Sequence, residues 1–486
     1  MKFKLLFFLL ITHFSFSQIE VGDVFEEMPL DSLIPLSLSN HTGIRPYIRI
    51  NKHNKHKFSI SGGIKKDSTH LIHITPLVDA GLETGSTGSY RTGLGASITS
   101  NFKEKWYFKV AAIQGLGETN SATFVPKSFY YKKNTGTNYS YTDVRGRISY
   151  TPNHIFNFQA GIDQNFIGEG NRSMLLSDYG KPYPFAQIRT RFGSFEYMML
   201  YQFLKERTYN QQWKAKYTST HLMSYNVTNK ISIGIFETVV FSPKDTTLNR
   251  GYDAEYLNPI VFFRPQEYSL GSSDNILLGA QFSLKHSKHT IYGQIIIDEF
   301  LLSELRARSR WWGNKYGGQL GIKGRILSNN QHYFYRIESN FARPYTFAHK
   351  TSGQNYGNQG LPLAHPFGAN FFEILGELKW QTKKWSLKTF LNYYMRGLEK
   401  NDNFSYGGDI YLSYNKYKQE YFNFIGNGIK QNGVQLIATT SYLIDKSSNL
   451  QVFLENHLSG NTLNKKANYQ VVVGIRSCLW NDYRNY

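Results

Sequence analysis

The most persistent pattern in this chain is an alternation of apolar and polar side chains along short segments. In one of them, Tyr333, Ile337 and Phe341 share a face, and Arg336 and Glu338 fall on the other. Because successive side chains of a strand point to opposite faces, the alternation predicts β-strands with one apolar and one polar face. It is clearest in 155–163, 316–326, 332–341 and 471–480.

The connections between these segments alternate in length. Short polar ones such as TPNH at 151–154 and SNNQ at 328–331 are followed by long ones. Hairpins with short turns at one end and long loops at the other are typical of outer-membrane barrels, and we predict about eighteen strands. Lipid offers no hydrogen bonds, so the sheet must close on itself. The long connections are 115–138, 167–183, 243–274, 301–315, 343–370 and 397–431.

Composition narrows the class. The 486 residues include 35 Tyr and 35 Phe, yet the mean hydropathy is only −0.43. A barrel accounts for both values, because only every second strand residue faces lipid and aromatic side chains concentrate at the two interfaces. The strands of a soluble β-sandwich also alternate apolar and polar side chains, but they rarely carry so many aromatic side chains at their ends. We therefore predict an all-β fold, a closed transmembrane antiparallel β-barrel of the outer membrane.

The first residues have the form of a secretory signal. A basic start at Met1–Lys4 precedes an apolar run much shorter than the ~20 residues of a spanning helix. We expect 1–17 to be a signal peptide, 18–55 a short periplasmic or lumen-associated segment, and 56–486 the barrel. The single cysteine, Cys478, cannot form an internal disulfide, so the fold does not depend on one.

One segment, GEGNRSMLLSDYGKPYPF at 168–185, interrupts the alternation. It joins two predicted strands at their extracellular end and is too polar for lipid. Gly168, Gly170 and Gly180 permit backbone angles closed to other residues, whereas the apolar 174–176 is poorly suited to a solvated tip. We therefore predict that the segment folds inward and partly plugs the lumen. The side chains expected to lock it to the wall are Glu169, Arg172 and Asp178.

This segment and three others together resemble the Wzi-like capsule-assembly outer-membrane proteins, whose relatives include gliding-motility-associated surface proteins. The others are LNPIVFFRPQEYSLGSSDNILLG at 257–279, IYGQIIIDEF at 291–300 and RPYTFAHKTSGQNYGNQGLPLAHPFGANF at 343–371. The resemblance implies a barrel of about eighteen strands whose lumen is obstructed by loops, and a role in holding exported polysaccharide at the cell surface. Further candidates for locking loops are Arg264, Glu267, Asp298 and Arg343.

The charge points to an anionic ligand. Lys and Arg number 55 against 35 Asp and Glu, a net charge of +20. The alternation places on the lumen face the bases Arg145, Arg147, Arg189, Arg191, Lys323, Arg325, Arg336, Lys388, Arg396 and Arg476, and the acids Asp163, Asp298, Glu338 and Glu377. A basic interior attracts anions such as acidic polysaccharide. Two other roles remain open for the basic side chains: they could form ion pairs that hold loops to the wall, or basic loops could contact lipid-A phosphates.

Other candidate sites are weaker. Aromatic side chains at the start of one hairpin could stack on sugars, but an interfacial girdle is the favoured interpretation. The histidine pairs 53/56 and 70/73 lack a Cys or carboxylate at ligand spacing, so we predict no metal and no cofactor. Neither G-x-S-x-G nor a catalytic triad is recognisable, which favours a protein that is not an enzyme. The aromatics in question are Phe129, Tyr130, Tyr131, Tyr139 and Tyr141.

The sequence therefore favours an outer-membrane barrel that binds or helps assemble anionic surface polysaccharide, in capsule or exopolysaccharide attachment, and that serves adhesion or gliding. The alternative is a porin or a specific transporter for anionic solutes, which would need an open water-filled lumen. Expected partners are acidic polysaccharide, outer-membrane lipid with lipopolysaccharide, and the barrel-assembly machinery. We expect a monomer, and export argues against nucleic acid as a partner.

Overall fold

The computed structural model describes most of the chain from residue 63 onward and three short pieces before it. The described residues are 18–21, 41–46, 48–50, 63–67, 70–84, 88–103, 105–118, 130–134, 136–207, 213–243, 251–258, 274–328, 331–400, 403–445, 448–464 and 467–477. Within these ranges, no helix has the length and apolar character needed to cross a membrane.

Long antiparallel strands make up almost all of the described structure. They are β1 (His70–Thr84), β2 (Ser89–Phe102), β3 (Trp106–Glu118), β4 (Asn138–Tyr150), β5 (Phe156–Asp163), β6 (Tyr183–Phe192), β7 (Phe195–Arg207), β8 (Trp213–Asn226), β9 (Ile231–Phe241), β10 (Asn275–His286), β11 (His289–Glu299), β12 (Lys315–Ser328), β13 (Gln331–Ala342), β14 (Phe371–Gln381), β15 (Trp385–Leu398), β16 (Ile429–Asp445), β17 (Leu450–Asn461) and β18 (Asn468–Ser477). The one α-helix described, α1, is Leu302–Arg306.

The sheet closes into a barrel. Each long strand pairs antiparallel with the next, and β18 pairs with β1, with Val471 opposite Thr84 and Arg476 opposite Asp79. Two shorter strands, Gly63–Asp67 and Tyr130–Lys133, extend the wall beside β1 and β4. The predicted closed barrel of eighteen strands is confirmed.

The wall has an apolar outer face, because the alternation read from the sequence persists along the strands. Leu320, Ile337 and Leu378 point outward and are 59%, 57% and 63% exposed. Their neighbours Glu338 and Asn340 point inward and are buried. An apolar exterior around a polar interior is the arrangement that a lipid environment stabilises.

The two ends of the barrel differ. The short turns lie together at one end, where aromatic pairs stack between adjacent strands: Trp106 with Tyr150 at a centroid distance of 4.2 Å, and Phe195 with Tyr225 at 4.5 Å. Such rings occupy the lipid–water interface of outer-membrane barrels. The long loops lie at the opposite end, which is extracellular in proteins of this architecture.

A second, apolar core lies on the inner side of the wall. Inward-facing residues of β6–β11, β13 and β14 form one side of it, including Phe185, Leu200, Phe236 and Ile296. Residues of four other parts of the chain form the other side, so the amino-terminal segment and three long loops pack against the wall from within. These residues are Ile44, Ile167, Met174, Leu175, Leu176, Phe347, Ala348, Tyr356, Leu363, Ala364, Ala369 and Ile410.

The amino-terminal segment takes part in two short strand pairs that the sequence pattern does not predict. Gln18–Val21 pairs with Ile48–Ile50, and Ile44–Arg45 pairs with Phe166–Ile167 inside the barrel. Strands of two to four residues are too short to show a period in the sequence. The second pair joins the amino-terminal segment to the loop between β5 and β6.

We expect Ile337→Arg to lower the free energy of unfolding by roughly 2–4 kcal/mol, because it puts a cation near the middle of the lipid-facing band. The control is Ile326→Arg, at a position that is 52% exposed but close to the short-turn end of β12; it should cost at most about 1 kcal/mol. Denaturant titration in lipid vesicles measures both, with the folded fraction read from faster migration on unboiled gels. Equal losses would contradict the assignment of this face to lipid.

Candidate functional site

Two predicted lumen bases, Arg145 and Arg147, are buried on the inner face of β4 and lie in ion pairs. Arg145 lies 2.8 Å from Asp143 and donates a 2.6 Å hydrogen bond to the side-chain oxygen of Gln164. Arg147 lies 3.1 Å from Asp163. Both guanidinium groups are thus neutralised by acids of the same hairpin.

Arg189 and Arg191 share one acid. Their guanidinium groups lie 3.2 Å and 3.1 Å from the buried carboxylate of Glu196. Arg189 also donates hydrogen bonds to the backbone carbonyls of Ile44 and Pro46, at 3.2 Å and 3.0 Å. This arginine therefore holds the amino-terminal segment against the wall.

The bases of β13 to β15 are also engaged. Glu377 lies between Arg336 and Lys388, at 3.0 Å and 3.5 Å. Arg396 donates a 2.7 Å hydrogen bond to the side chain of Gln431. These three bases lie on the inner face, as the alternation predicts, and two of them share a single carboxylate.

The inner face carries more acids than the four predicted from the sequence. Asp143, Glu196, Glu373 and Glu455 are buried there, and Glu455 lies 3.8 Å from the predicted base Arg476. The inward orientation of Asp143 could have been predicted from the sequence, because Asp143 shares a strand face with Arg145 and Arg147. Pairing therefore accounts for more of the lumen's positive charge than the sequence indicates. Another predicted base, Arg325, is half-buried on β12.

Glu169 joins the loop between β5 and β6 to the wall and to the amino-terminal segment. Its carboxylate lies 2.7 Å from the ammonium group of Lys323 on β12 and accepts a hydrogen bond from the Thr42 hydroxyl. Burial by itself would raise the pKa of Glu169, but Lys323 and Lys285 outweigh that effect and lower the pKa from 4.5 to about 2. The carboxylate is therefore charged at neutral pH.

Arg172 is buried in the same loop, against β13 and β14. Its Nε lies 3.6 Å from the carboxylate of Glu373, and its backbone N–H donates a 3.1 Å hydrogen bond to Glu338. Asp178, also buried, accepts a hydrogen bond at its carbonyl from the Gln164 side chain at 2.8 Å. Each residue predicted to lock this loop is thus buried, and Glu169 and Arg172 face carboxylates or ammonium groups of the wall.

Gln294 on β11 anchors the middle of the loop. Its side-chain oxygen accepts a 2.8 Å hydrogen bond from the Met174 N–H, and its side-chain nitrogen donates to the Ile167 carbonyl at 2.9 Å. Gly168 has a φ of 139°, and a Cβ there would lie 2.5 Å from the Gln294 nitrogen. The absence of a side chain lets the backbone approach the wall, and the apolar 174–176 has no exposed surface.

Asp298 and Arg343 connect the loop of 343–370 to its surroundings. Asp298 at the end of β11 accepts a 2.9 Å hydrogen bond from the Phe347 N–H. Arg343 donates hydrogen bonds to the carbonyls of Trp311 and Asn423, at 3.3 Å and 3.2 Å, and so joins two other outer loops. Arg264 and Glu267, predicted for the same role, lie outside the described residues.

Those two outer loops carry a set of aromatic side chains, which we call the outer aromatic surface. Backbone hydrogen bonds from Trp312 to Glu420 and from Phe422 to Ser309, at 2.9 Å and 3.0 Å, hold the loops together. Phe422 is 67% exposed. Trp312 stacks on Tyr417 with ring centroids 4.9 Å apart. The surface consists of Trp311, Trp312, Tyr414, Tyr417, Tyr421, Phe422 and Phe424.

The charges beside this surface are arranged differently from those of the lumen. Two of the acids beside the outer aromatic surface form local hydrogen bonds: Glu304 accepts one of 2.7 Å from Ser309, and Glu399 accepts one of 2.6 Å from the Tyr406 N–H. Its bases are exposed, and none of them forms an ion pair with any residue that the structure describes. They are Arg306, Arg308, Arg310, Lys400, Lys416 and Lys418.

The aromatics singled out in the sequence lie elsewhere. Tyr139 and Tyr141 are buried on the inner face of β4, so the prediction that they belong to the interfacial girdle is wrong. A Cβ on Gly117 would lie 2.5 Å from the Tyr139 hydroxyl, which shows that the ring lies directly on that glycine. Phe129, His53 and His56 lie outside the described residues, and the side chains of Tyr130, Tyr131, His70 and His73 are not described. The part that is described holds no cluster of three His, Cys, Asp or Glu suited to a metal.

The barrel can be compared with solved structures. Wzi of Escherichia coli, an outer-membrane protein involved in group 1 capsule assembly and a carbohydrate-binding β-barrel, matches 84% of this chain over 85% of its own, with a TM-score of 0.55 and 12% sequence identity. This chain has the fold of Wzi. The resemblance predicted from the four sequence segments is thereby confirmed for the fold, and the protein is an outer-membrane β-barrel.

Porin-like barrels match less well than Wzi does. OprD of Pseudomonas aeruginosa matches 85% of this chain and 96% of its own at 10% identity, with a TM-score of 0.41. OccAB4 of Acinetobacter baumannii matches 85% and 98% at 7% identity, with a TM-score of 0.45. No family model and no curated protein sequence matches the chain.

The low pKa of Glu169 leads to a pH-dependent prediction. Because this pKa falls from 4.5 to about 2 on folding, the stability that it contributes is present above pH 4.5 and lost as the pH falls through about 2. At neutral pH we expect the unfolding free energy of wild-type protein to exceed that of Glu169→Gln by at most about 3 kcal/mol. Wild-type protein should accordingly melt at a higher temperature. The difference should vanish near pH 2.

Lys323→Met serves as the control for this experiment. It leaves Glu169 buried without its nearest cation, so the loss of stability should move to a higher pH. Thermal unfolding of the three proteins in detergent, measured across the pH range, gives the comparison. A wild-type advantage over Glu169→Gln that is the same at pH 2 and pH 7 would contradict the ion pair.

Proposed function

We propose that this barrel binds anionic polysaccharide at the cell surface, in capsule or exopolysaccharide attachment, through the outer aromatic surface and four of the bases beside it, Arg310, Lys400, Lys416 and Lys418. The observation that supports this most directly is the exposure of Tyr421, Phe422 and Phe424 on loops that are tied together by backbone hydrogen bonds. Aromatic faces pack against the apolar faces of sugar rings, and fixed loops lose little entropy when they bind.

The backbone at Phe422 supports this role. Phe422 has a φ of 59°, in the left-handed region that costs energy for a residue with a bulky side chain. The ring gains no compensating burial, since most of it is exposed. Strain that is retained to present an aromatic ring to solvent is characteristic of binding sites.

Electrostatics support an anionic polymer as the ligand and the outer loops as its binding site. In the lumen, Arg145, Arg147 and Arg336 lie in ion pairs with acids of the wall. At the outer loops, Arg310, Lys416 and the other two bases of the proposed site form no ion pair among the described residues, so their field acts on the solvent. We therefore assign ligand binding to the outer loops, and a structural role to the predicted lumen bases.

The inner core argues for binding over conduction. The segments 164–182 and 343–370 pack apolar side chains against the wall from within, and we propose that they obstruct the lumen. A porin or a transporter would need that volume for water and solute. The carbohydrate-binding barrel Wzi, whose fold this chain shares, provides a structural precedent, although a shared fold does not by itself carry function.

Binding should depend on the exposed rings. We expect Tyr421→Ala/Phe422→Ala to weaken binding of an acidic polysaccharide by about thirtyfold, since the two rings contribute on the order of 1 kcal/mol each. The matched control is Trp213→Ala, which removes a ring that is 52% exposed outside the outer aromatic surface. Biolayer interferometry on detergent-solubilised protein measures both.

The charge of the ligand can be tested with the same assay. A neutral glucan should bind more weakly than the acidic polymer, and only the acidic polymer should lose affinity as salt shortens the Debye length from ~10 Å at ~0.1 M to ~3 Å at ~1 M. Equal binding of both polymers at every salt concentration would remove the electrostatic part of the proposal. If Trp213→Ala lost as much affinity for the acidic polysaccharide as Tyr421→Ala/Phe422→Ala, the proposed role of the exposed rings would be wrong.

Obstruction of the lumen predicts the conductance of loop variants. Wild-type protein in planar bilayers should conduct little, and deletion of 169–181 should raise conductance while the barrel still assembles, because β5 and β6 remain intact. Arg172→Ala should act in the same direction to a smaller extent, since it breaks the contact with Glu373. Arg172→Lys, which keeps the charge, is the control. A deletion variant that inserts normally with unchanged conductance would show that this loop does not obstruct the lumen.

A further inference from the structure

The loop between β11 and β12 leaves the wall at the upper edge of the lipid-facing band. Ile291 and Ile295 lie on the outer face of β11 and are 40% and 47% exposed. From residue 291 to residue 300 is nine steps, which at ~3.4 Å each and a strand tilt of ~40° rise about 23 Å. This is close to the ~25 Å height of the apolar band, so Phe300 lies at its outer boundary.

Immediately beyond that boundary, four large apolar side chains are exposed. Phe300, Leu301, Leu302 and Leu305 are 45%, 45%, 46% and 41% exposed, and the short helix α1 buries none of its residues. Contiguous apolar side chains of this size are unfavourable in water and mark a contact surface. Because they continue the lipid-facing band of β11, acyl chains are the apolar material nearest to them.

Two arginines follow directly. Arg306 and Arg308 are exposed, and neither has an ion pair among the residues that the structure describes. The only acid of the helix, Glu304, is held by a 2.7 Å hydrogen bond from Ser309. A pair of unneutralised cations next to an apolar surface at the membrane boundary matches the phosphate and acyl chains of a glycolipid.

We propose that residues 300–308 bind a phosphorylated glycolipid of the outer leaflet, of the lipid-A class. Acyl chains cover Phe300 and the three leucines, and Arg306 and Arg308 contact phosphate. The same loop reaches the outer aromatic surface through the Phe422 N–H, which donates a 3.0 Å hydrogen bond to the Ser309 carbonyl. The bound lipid thereby fixes the height of that surface above the membrane. This lipid site is separate from the proposed polysaccharide site and does not depend on it.

The experiment compares bis-phosphorylated lipid A with its dephosphorylated form, by native mass spectrometry of the full-length protein in detergent. Wild-type protein should retain the phosphorylated lipid at least tenfold better. Arg306→Ala/Arg308→Ala should lose about tenfold in affinity for it and none for the dephosphorylated lipid. The matched control is Lys383→Ala/Lys384→Ala, which removes two exposed cations from the short turn at the opposite end of the barrel.

Three further outcomes decide the proposal. Leu301→Ser/Leu302→Ser should weaken both lipids, and heat-modifiable migration shows that the variant is folded. Inorganic phosphate should not displace the lipid; if it does, the site binds free anions and the proposal is wrong. Polysaccharide binding, measured on the same variants, should be unchanged in Arg306→Ala/Arg308→Ala. If Arg306→Ala/Arg308→Ala lost polysaccharide binding and retained lipid A binding, these arginines would belong to the polysaccharide site and the proposed lipid site would be wrong.

Discussion

A chain that crosses lipid as strands must satisfy every backbone N–H and C=O group within the protein, and the rest of this structure depends on that constraint. It requires β18 to pair with β1, and this closure removes the two edges that an open sheet of β1 to β18 would have. Eighteen strands enclose more space than the side chains of the wall alone can fill. The structure therefore places other parts of the chain against the inner face, and these parts need apolar and polar partners there.

The inner face provides both kinds of partner. Leu200, Phe236 and Ile296 offer apolar cover to 174–176, so the loop gains the hydrophobic contacts that a solvated tip lacks. Charged side chains of the loop pair with charged side chains of the wall, because a buried ion is costly unless it is paired and hydrogen-bonded. Glu169 with Lys323, and Arg172 with Glu373, meet that condition. We expect such pairs to contribute more to the unique placement of the loop than to net stability.

Two populations of cations follow from this arrangement. Cations of the wall, such as Arg189, pair with carboxylates and donate hydrogen bonds to backbone carbonyls of the amino-terminal segment. Those of the outer loops face solvent beside exposed rings, and they are the ones that a polymer or a lipid can reach. A loop such as 343–370, which packs inward and also holds two outer loops through Arg343, links the inner core to the external surface.

The sequence by itself determined the wall. Alternation, together with short and long connections, was enough for the closed barrel, for its strand number, and for the inward orientation of Arg145, Lys323 and Glu338, because a period of two is a local property of the strand. The inward burial of 174–176 also followed from composition, since apolar side chains at a loop tip need cover.

Only the tertiary structure determined which charged side chains form ion pairs with each other. Glu169 and Lys323 are 154 residues apart in the chain, and Arg172 and Glu373 are still further apart, so no local pattern connects them. The same reason explains why the outer aromatic surface was not found from the sequence: its rings come from two loops that are separated in the chain by β12 to β15 and meet only in the folded barrel. Tyr139 was placed wrongly because its position over Gly117 depends on the pairing of β3 with β4, and register between strands is a property of the folded sheet.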